Sequence, residues 1–164
     1  KQQEVLAAFD RGKSKSDAFL FIDTAKESLK TIPENSNVLV LRSARPWMIQ
    51  GIIEAMSQHG NIHLDFLGQD AVMKELKSNP GVNSVYSYGD GFFSPKTIDN
   101  YLIEQLSSKS YDYILLPMAN NHLEGYQNVL DVAQLIESKF IFGIYPEGTI
   151  LSLAKEKETT KAFI

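Results

Sequence analysis

Residues 37–56 read NVLVLRSARPWMIQGIIEAM, and the fold turns on them. Val38 to Leu41 form an unbroken apolar run, the length of a strand buried on both faces. The run stops at a polar turn, Arg42-Ser43-Ala44-Arg45, and Pro46 then stands where proline favours the first turn of a helix. Ile49, Ile52, Ile53 and Met56 recur along one side of that helix. Strand, short turn and packed-back helix make the first half of a βαβ unit, whose turn is the usual ligand position.

Upstream, Val5, Leu6 and Phe9 stand at helical spacing. A second helix is expected from Ser16 or Asp17, both good N-caps, with Ala18, Ile22, Ala25 and Leu29 as its stripe. Phe19 and Phe21 lie off that stripe, which predicts cover on two sides. These helices form an N-terminal extension, residues 1–36, either a capping layer or the tail of a preceding domain.

Downstream, Gly60 is placed to take positive φ after the helix. Ile62, Leu64 and Phe66 alternate with His63 and Asp65, a half-buried strand. A helix with Val72, Met73 and Leu76 leads to the turn Asn79-Pro80-Gly81 and a weakly apolar strand over 82–88, expected near a sheet edge. Ser94-Pro95 reads as cap and first helical residue, with Ile98, Tyr101, Leu102 and Leu106 as the stripe. Residues 111–116 form the second strongly apolar strand. After Pro117 comes a helix burying Tyr126, Val129, Leu130, Ala133 and Ile136, then a fifth strand over 140–144.

Strands alternating with helices predict an α/β, Rossmann-like three-layer sandwich, since parallel neighbours need right-handed helical crossovers. The two most apolar strands belong at the centre, so the expected sheet has five parallel strands in the order 3-2-1-4-5. Residues 37–148 make this domain, and 149–164 a lysine- and glutamate-rich C-terminal segment. The switch point falls between strands one and four. Arg42, Ser43 and Arg45 would form one lip and Asn120, Asn121 and His122 the other.

Two guanidiniums at a helix start suit a phosphate or carboxylate, because arginine presents a planar fork of donors. Alternatively, Arg42 pairs with a neighbouring carboxylate and Arg45 lies in water. The amides and imidazole of Asn120, Asn121 and His122 suit sugar hydroxyls or a base edge, and they are equally natural helix caps. Asp65 and Asp70 stand where a ribose could be met, and Glu147 is a candidate wall residue after strand five. His59 and His63 have no partner at metal-ligand spacing and read as structural or solvent-exposed, so no metal is expected.

Composition narrows the classes. The 164 residues suffice for one domain burying roughly 70% of its unfolded surface. The net charge of -4 gives no electrostatic reason to expect nucleic acid. With no cysteine, thiolate chemistry and cysteine zinc sites are excluded, and a cytoplasmic location is suited. No apolar run approaches the ~20 residues of a membrane span. The chain begins Lys-Gln-Gln and ends Ala-Phe-Ile, which reads as a piece of something longer. No glycine precedes Gly51 in the first βα turn, so the dinucleotide fingerprint is missing, as are a P-loop and a Gly-x-Ser-x-Gly elbow. No cofactor is therefore expected.

Asn37-Val-Leu-Val-Leu-Arg42, followed by turn and helix, resembles the opening of the heptosyltransferase-like glycosyltransferases of family nine. Leu64-Asp-Phe-Leu-Gly68 and Asn79-Pro-Gly-Val-Asn-Ser-Val-Tyr86 are similar to that family's second unit. Tyr111-Asp-Tyr-Ile-Leu-Leu116 and Phe142-Gly-Ile-Tyr145 are similar to its fourth and fifth strands. The resemblance covers about residues 37–148. It implies the N-terminal, acceptor-side half of a two-domain enzyme, with a second Rossmann-like domain holding the nucleotide-sugar. The family's catalytic aspartate sits in a phrase like S-x-G-D, but here Ser43-Ala44-Arg45-Pro46 offers no acid. A general base must reach the proton it removes. The expectation is a domain that binds a sugar or sugar-phosphate acceptor without catalysing by itself. The other reading is a non-enzymatic interaction or assembly domain, with Trp47, Phe92 and Phe93 as exposed contacts, each of which could equally be core.

Overall fold

The computed structural model describes residues 15–41, 46–89, 94–118 and 126–153. Strands are β1 (Asn37–Leu41), β2 (His63–Gly68), β3 (Ser84–Ser87), β4 (Tyr111–Pro117), β5 (Ser138–Ile144) and β6 (Ile150–Ser152). The described helices are α1 (Lys15–Leu29), α2 (Pro46–Ser57), α3 (Asp70–Lys77), α4 (Asn100–Ser107) and α5 (Gln127–Leu135).

The sheet departs from the five-stranded parallel expectation in count, order and direction. It has six strands, ordered β3-β2-β1-β4-β5-β6. The first five run parallel, and β6 returns antiparallel along β5, pairing Ile144 with Ile150 and Phe142 with Ser152. At three residues, Ile150-Leu151-Ser152, β6 is too short to show a period, and two of the three are exposed on an edge. The turn at Tyr145–Thr149 makes it possible: Gly148 donates its N–H to the Tyr145 carbonyl at 2.8 Å, and Tyr145 donates to that of Thr149 at 2.9 Å. Ile150–Ser152 therefore belong to the sheet.

Helices cover both faces. Phe21, Ala25 and Leu29 of α1, Ile49, Ile52, Ile53 and Met56 of α2, and Leu76 of α3 pack with Val38, Val40, Leu64 and Phe66 on one face. Leu102 and Leu106 of α4 and Val129, Leu130 and Ala133 of α5 pack with Leu39, Leu41, Leu67 and Ile114 on the other. This explains a second departure: β2 is buried on both faces, so the alternation through Asp65 does not mark a solvent face. The expected first helix, with Val5, Leu6 and Phe9, lies outside the described residues. The second is integral, since Phe21, Ile22 and Ala25 are fully buried. Phe21 meets Trp47 edge-on with centroids 5.3 Å apart. The ring also fills the space a side chain at Gly51 would need: a Cβ there would lie 2.6 Å from it.

Local boundaries follow caps rather than stripes. The helix expected from Pro95 begins only at Asn100, because Asp99 supplies the cap by accepting the Tyr101 N–H at 3.0 Å. Tyr101 is accordingly 71% exposed, while Ile98, Leu102 and Leu106 are buried. After α2, Asn61 rather than Gly60 takes the left-handed conformation (φ 53°). Gly60 instead makes room for Glu34, whose Oε1 would lie 2.9 Å from an added Cβ.

At the amino end of the sheet, Asp112 of β4 ties three strands. It accepts the Asn37 N–H of β1 at 2.8 Å and the Lys139 ammonium of β5 at 3.1 Å. Burial pushes its carboxyl upward, but these two partners outweigh burial and hold it below the ordinary carboxylate value. That stabilisation exists above the unfolded pKa of about 4 and is lost as pH falls below it.

Two glycines separate strain from clash. Gly148 (φ 94°) would place a Cβ 2.7 Å from Ala25 N and Phe21 O of α1, whereas Gly89 (φ 95°) has nothing within 4 Å. Gly89→Ala is expected to cost about 1–3 kcal/mol from backbone strain alone. Gly148→Ala adds displacement of α1 and costs more. Urea unfolding of both variants measures the difference, and equal midpoints would contradict the packing of this turn on α1.

Candidate functional site

Beside β1 the chain reverses its direction of build. From β1 the connection runs through α2 to β2 on one side, while β4 closes against β1 on the other, with Val38 opposite Tyr113 and Val40 opposite Leu115. The crossovers lie on opposite faces: α2 and α3 on one, α4 and α5 on the other. In such sheets a crevice opens at the carboxyl ends of the two strands where the crossovers part. At that edge Leu41 ends β1 and Met118 follows β4, both fully buried.

The segments joining β1 to α2 and β4 to α5 bring the expected ligands in sequence. Arg42, Ser43, Arg45, Asn120, Asn121 and His122 all lie outside the described residues. So do Phe92 and Phe93. Trp47 is described, and of its two readings it takes the second: at 1% exposure, packed on Phe21, it is core and not a surface contact.

The rest of the carboxyl rim is described in part. After β2, Asp70 accepts a hydrogen bond from the Ser87 hydroxyl, and that oxygen in turn accepts the Gly89 N–H at 3.0 Å. The Asp70 N–H reaches the Gly89 carbonyl at 3.2 Å. Asp70 therefore ties the ends of β2 and β3 together. After β5, Glu147 differs. Its Oε1 is shielded from solvent and has no hydrogen-bond partner among the described residues. A buried acceptor left without a donor costs about 1–3 kcal/mol.

Asp65 is displaced from the rim altogether. It stands mid-strand, opposite Leu39 of β1 and Ser84 of β3, at 5% exposure. The Tyr111 hydroxyl donates to its Oδ2 at 2.6 Å and the Asn83 amide to its Oδ1 at 3.0 Å. Beyond them Lys109 holds its ammonium 5.8 Å from the Tyr86 ring centre. Contact with Tyr86 raises the Lys109 pKa. Burial, then the bond to Asp65, raises the Tyr111 pKa, so this hydroxyl keeps its proton and cannot serve as a base. The network fastens β4 to β2 across β1. Sequence could not reveal it, because its members are 46 and 18 positions apart.

The histidines behave as expected of structural groups. His59 bonds the Ile32 carbonyl with its ring, and His63 is exposed at the start of β2. Among the described residues no group of three or more histidines or carboxylates could hold a metal ion. No described helix is long and apolar enough to cross a membrane.

Tyr111→Phe tests the network. It is expected to cost about 1–3 kcal/mol, leaving the Asp65 carboxyl one donor short. Because the native tyrosine pKa is raised, its contribution is whole below the unfolded value of about 10 and lost as pH climbs beyond it. Denaturation series from neutral to alkaline pH should show that loss in the parent chain. The phenylalanine variant should lack this component.

No family model matches the chain, and no curated protein matches it. Among solved structures it is similar to the human synaptic vesicle membrane protein VAT-1 homolog-like protein, with 14% identity and a TM-score of 0.42. That alignment covers 84% of this chain and 43% of the other, so the chain spans less than half of that protein's length.

Proposed function

We propose that this chain is the acceptor-side half of a glycosyltransferase-like protein of the heptosyltransferase-like kind, binding a sugar or sugar-phosphate without transferring it by itself. The observation that carries the reading is the parting of the crossovers between β1 and β4. It supports a ligand position at the carboxyl edge, where the sequence supplies Arg42, Ser43 and Arg45 after β1 and Asn120, Asn121 and His122 after β4.

Arginine forks suit a phosphate, and amides with an imidazole suit sugar hydroxyls. The absence of an acid at Ser43-Ala44-Arg45 supports binding without a catalytic base. A donor half, holding the nucleotide-sugar, would then belong to a second domain. The assembly-domain reading loses one of its three contacts, since Trp47 is buried.

Titration calorimetry with a panel of hexose and heptose phosphates tests this. Binding is expected, and Arg42→Ala or Arg45→Ala should weaken it about tenfold or more, in line with bonds to a charged group at about 1.5–3 kcal/mol each. The matching unphosphorylated sugars should bind more weakly in the parent chain. Heats indistinguishable from dilution across the panel would sink the proposal, as would affinities untouched by either arginine.

A further inference from the structure

The second exposed margin of the sheet has its own chemistry. β3 is an outer strand, and none of its four residues is buried. Outer strands leave alternate peptide groups without ladder partners. Along β3 runs a groove of about 310 Å³ lined by Lys77, Val82, Asn83, Ser84, Val85 and Tyr86. Ser84 and Ser87 are short, so little side-chain bulk stands over the peptide groups between them.

A lysine flanks this margin on each face of the sheet. Lys77 ends α3, whose Leu76 packs on the face shared with α2. Lys109 sits over the Tyr86 ring, which packs on the opposite face with α4 and α5. Both lysines are exposed. A strand added to β3 would turn successive side chains to opposite faces. Two adjacent acidic residues on it would therefore meet Lys77 on one side and Lys109 on the other. A second copy of this chain is disfavoured there, because self-pairing would gather four lysines about one seam.

We propose that β3 is a docking edge for an extended acidic peptide segment, which pairs with the strand backbone and carries neighbouring carboxylates to Lys77 and Lys109. Backbone pairing would supply affinity and the paired lysines would supply selectivity, with no demand for a deep pocket. The edge is separate from the carboxyl crevice, so this inference stands whether or not a sugar binds.

The probe is the peptide acetyl-Thr-Val-Glu-Glu-Val-Thr-amide, titrated into the full 164-residue chain with amide shifts followed by NMR. Saturable shifts centred on residues 82–87 are expected, weakened at high salt. The peptide with lysines in place of its glutamates should bind at least about fivefold more weakly, and the double variant Lys77→Glu, Lys109→Glu should reverse that preference. Both lysines being exposed, the variant's own spectrum reports that it remains folded. Shifts centred elsewhere, equal binding of the acidic and basic peptides, or a dimer seamed at β3 in sedimentation and cross-linking would each overturn the proposal.

Discussion

A parallel strand in the middle of a sheet has no free face and no free edge, and β1 is in that position. Four of its five residues are buried, held between β2 and β4 in the plane and between two helical layers above and below. Everything else in the domain answers to this constraint. The helices must divide between the faces, the crossovers must part beside β1, and polar groups must be satisfied locally or expelled to the ends of the strands. The amino end is closed by Asp112 with Asn37 and Lys139, and within the sheet Asp65 is satisfied by Tyr111 and Asn83. At the carboxyl end β1 leads toward α2 and β4 toward α5, and Glu147 Oε1 has no hydrogen-bond partner among the described residues.

The architecture was legible in the sequence wherever a residue's burial follows from a period. Val38–Leu41, the 49/52/53/56 stripe of α2 and the 129/130/133/136 stripe of α5 all lie in the core as their spacing requires. The misses have a shared physical origin: a local pattern was read where a distant partner decides. Asp65 looks like an outward residue of an alternating strand until Tyr111 arrives from β4 beneath β1. Trp47 looks like a contact at the mouth of a crevice until α1 presents Phe21. Short edge strand β6 carries no stripe at all and exists because the Gly148 turn, lying on α1, folds it back along β5.

The candidate site divides along the same line. The pairing of β1 with β4 was legible, from chain order and apolarity. The site's chemistry was legible only as residue types, arginines on one connection and amides with a histidine on the other. The described rim adds two things that no spacing rule carries: Asp70 accepts from Ser87, and Glu147 Oε1 is buried without a hydrogen-bond partner among the described residues.

The central claim is positional: ligand is received where the crossovers part, above the carboxyl ends of β1 and β4. A crystal structure of this chain grown with a sugar phosphate tests it most directly. Ligand density is expected between the connections 42–45 and 119–125, with the phosphate toward the first. Ligand density at the amino end of the sheet, or on the outer surface of either helical layer, would contradict it.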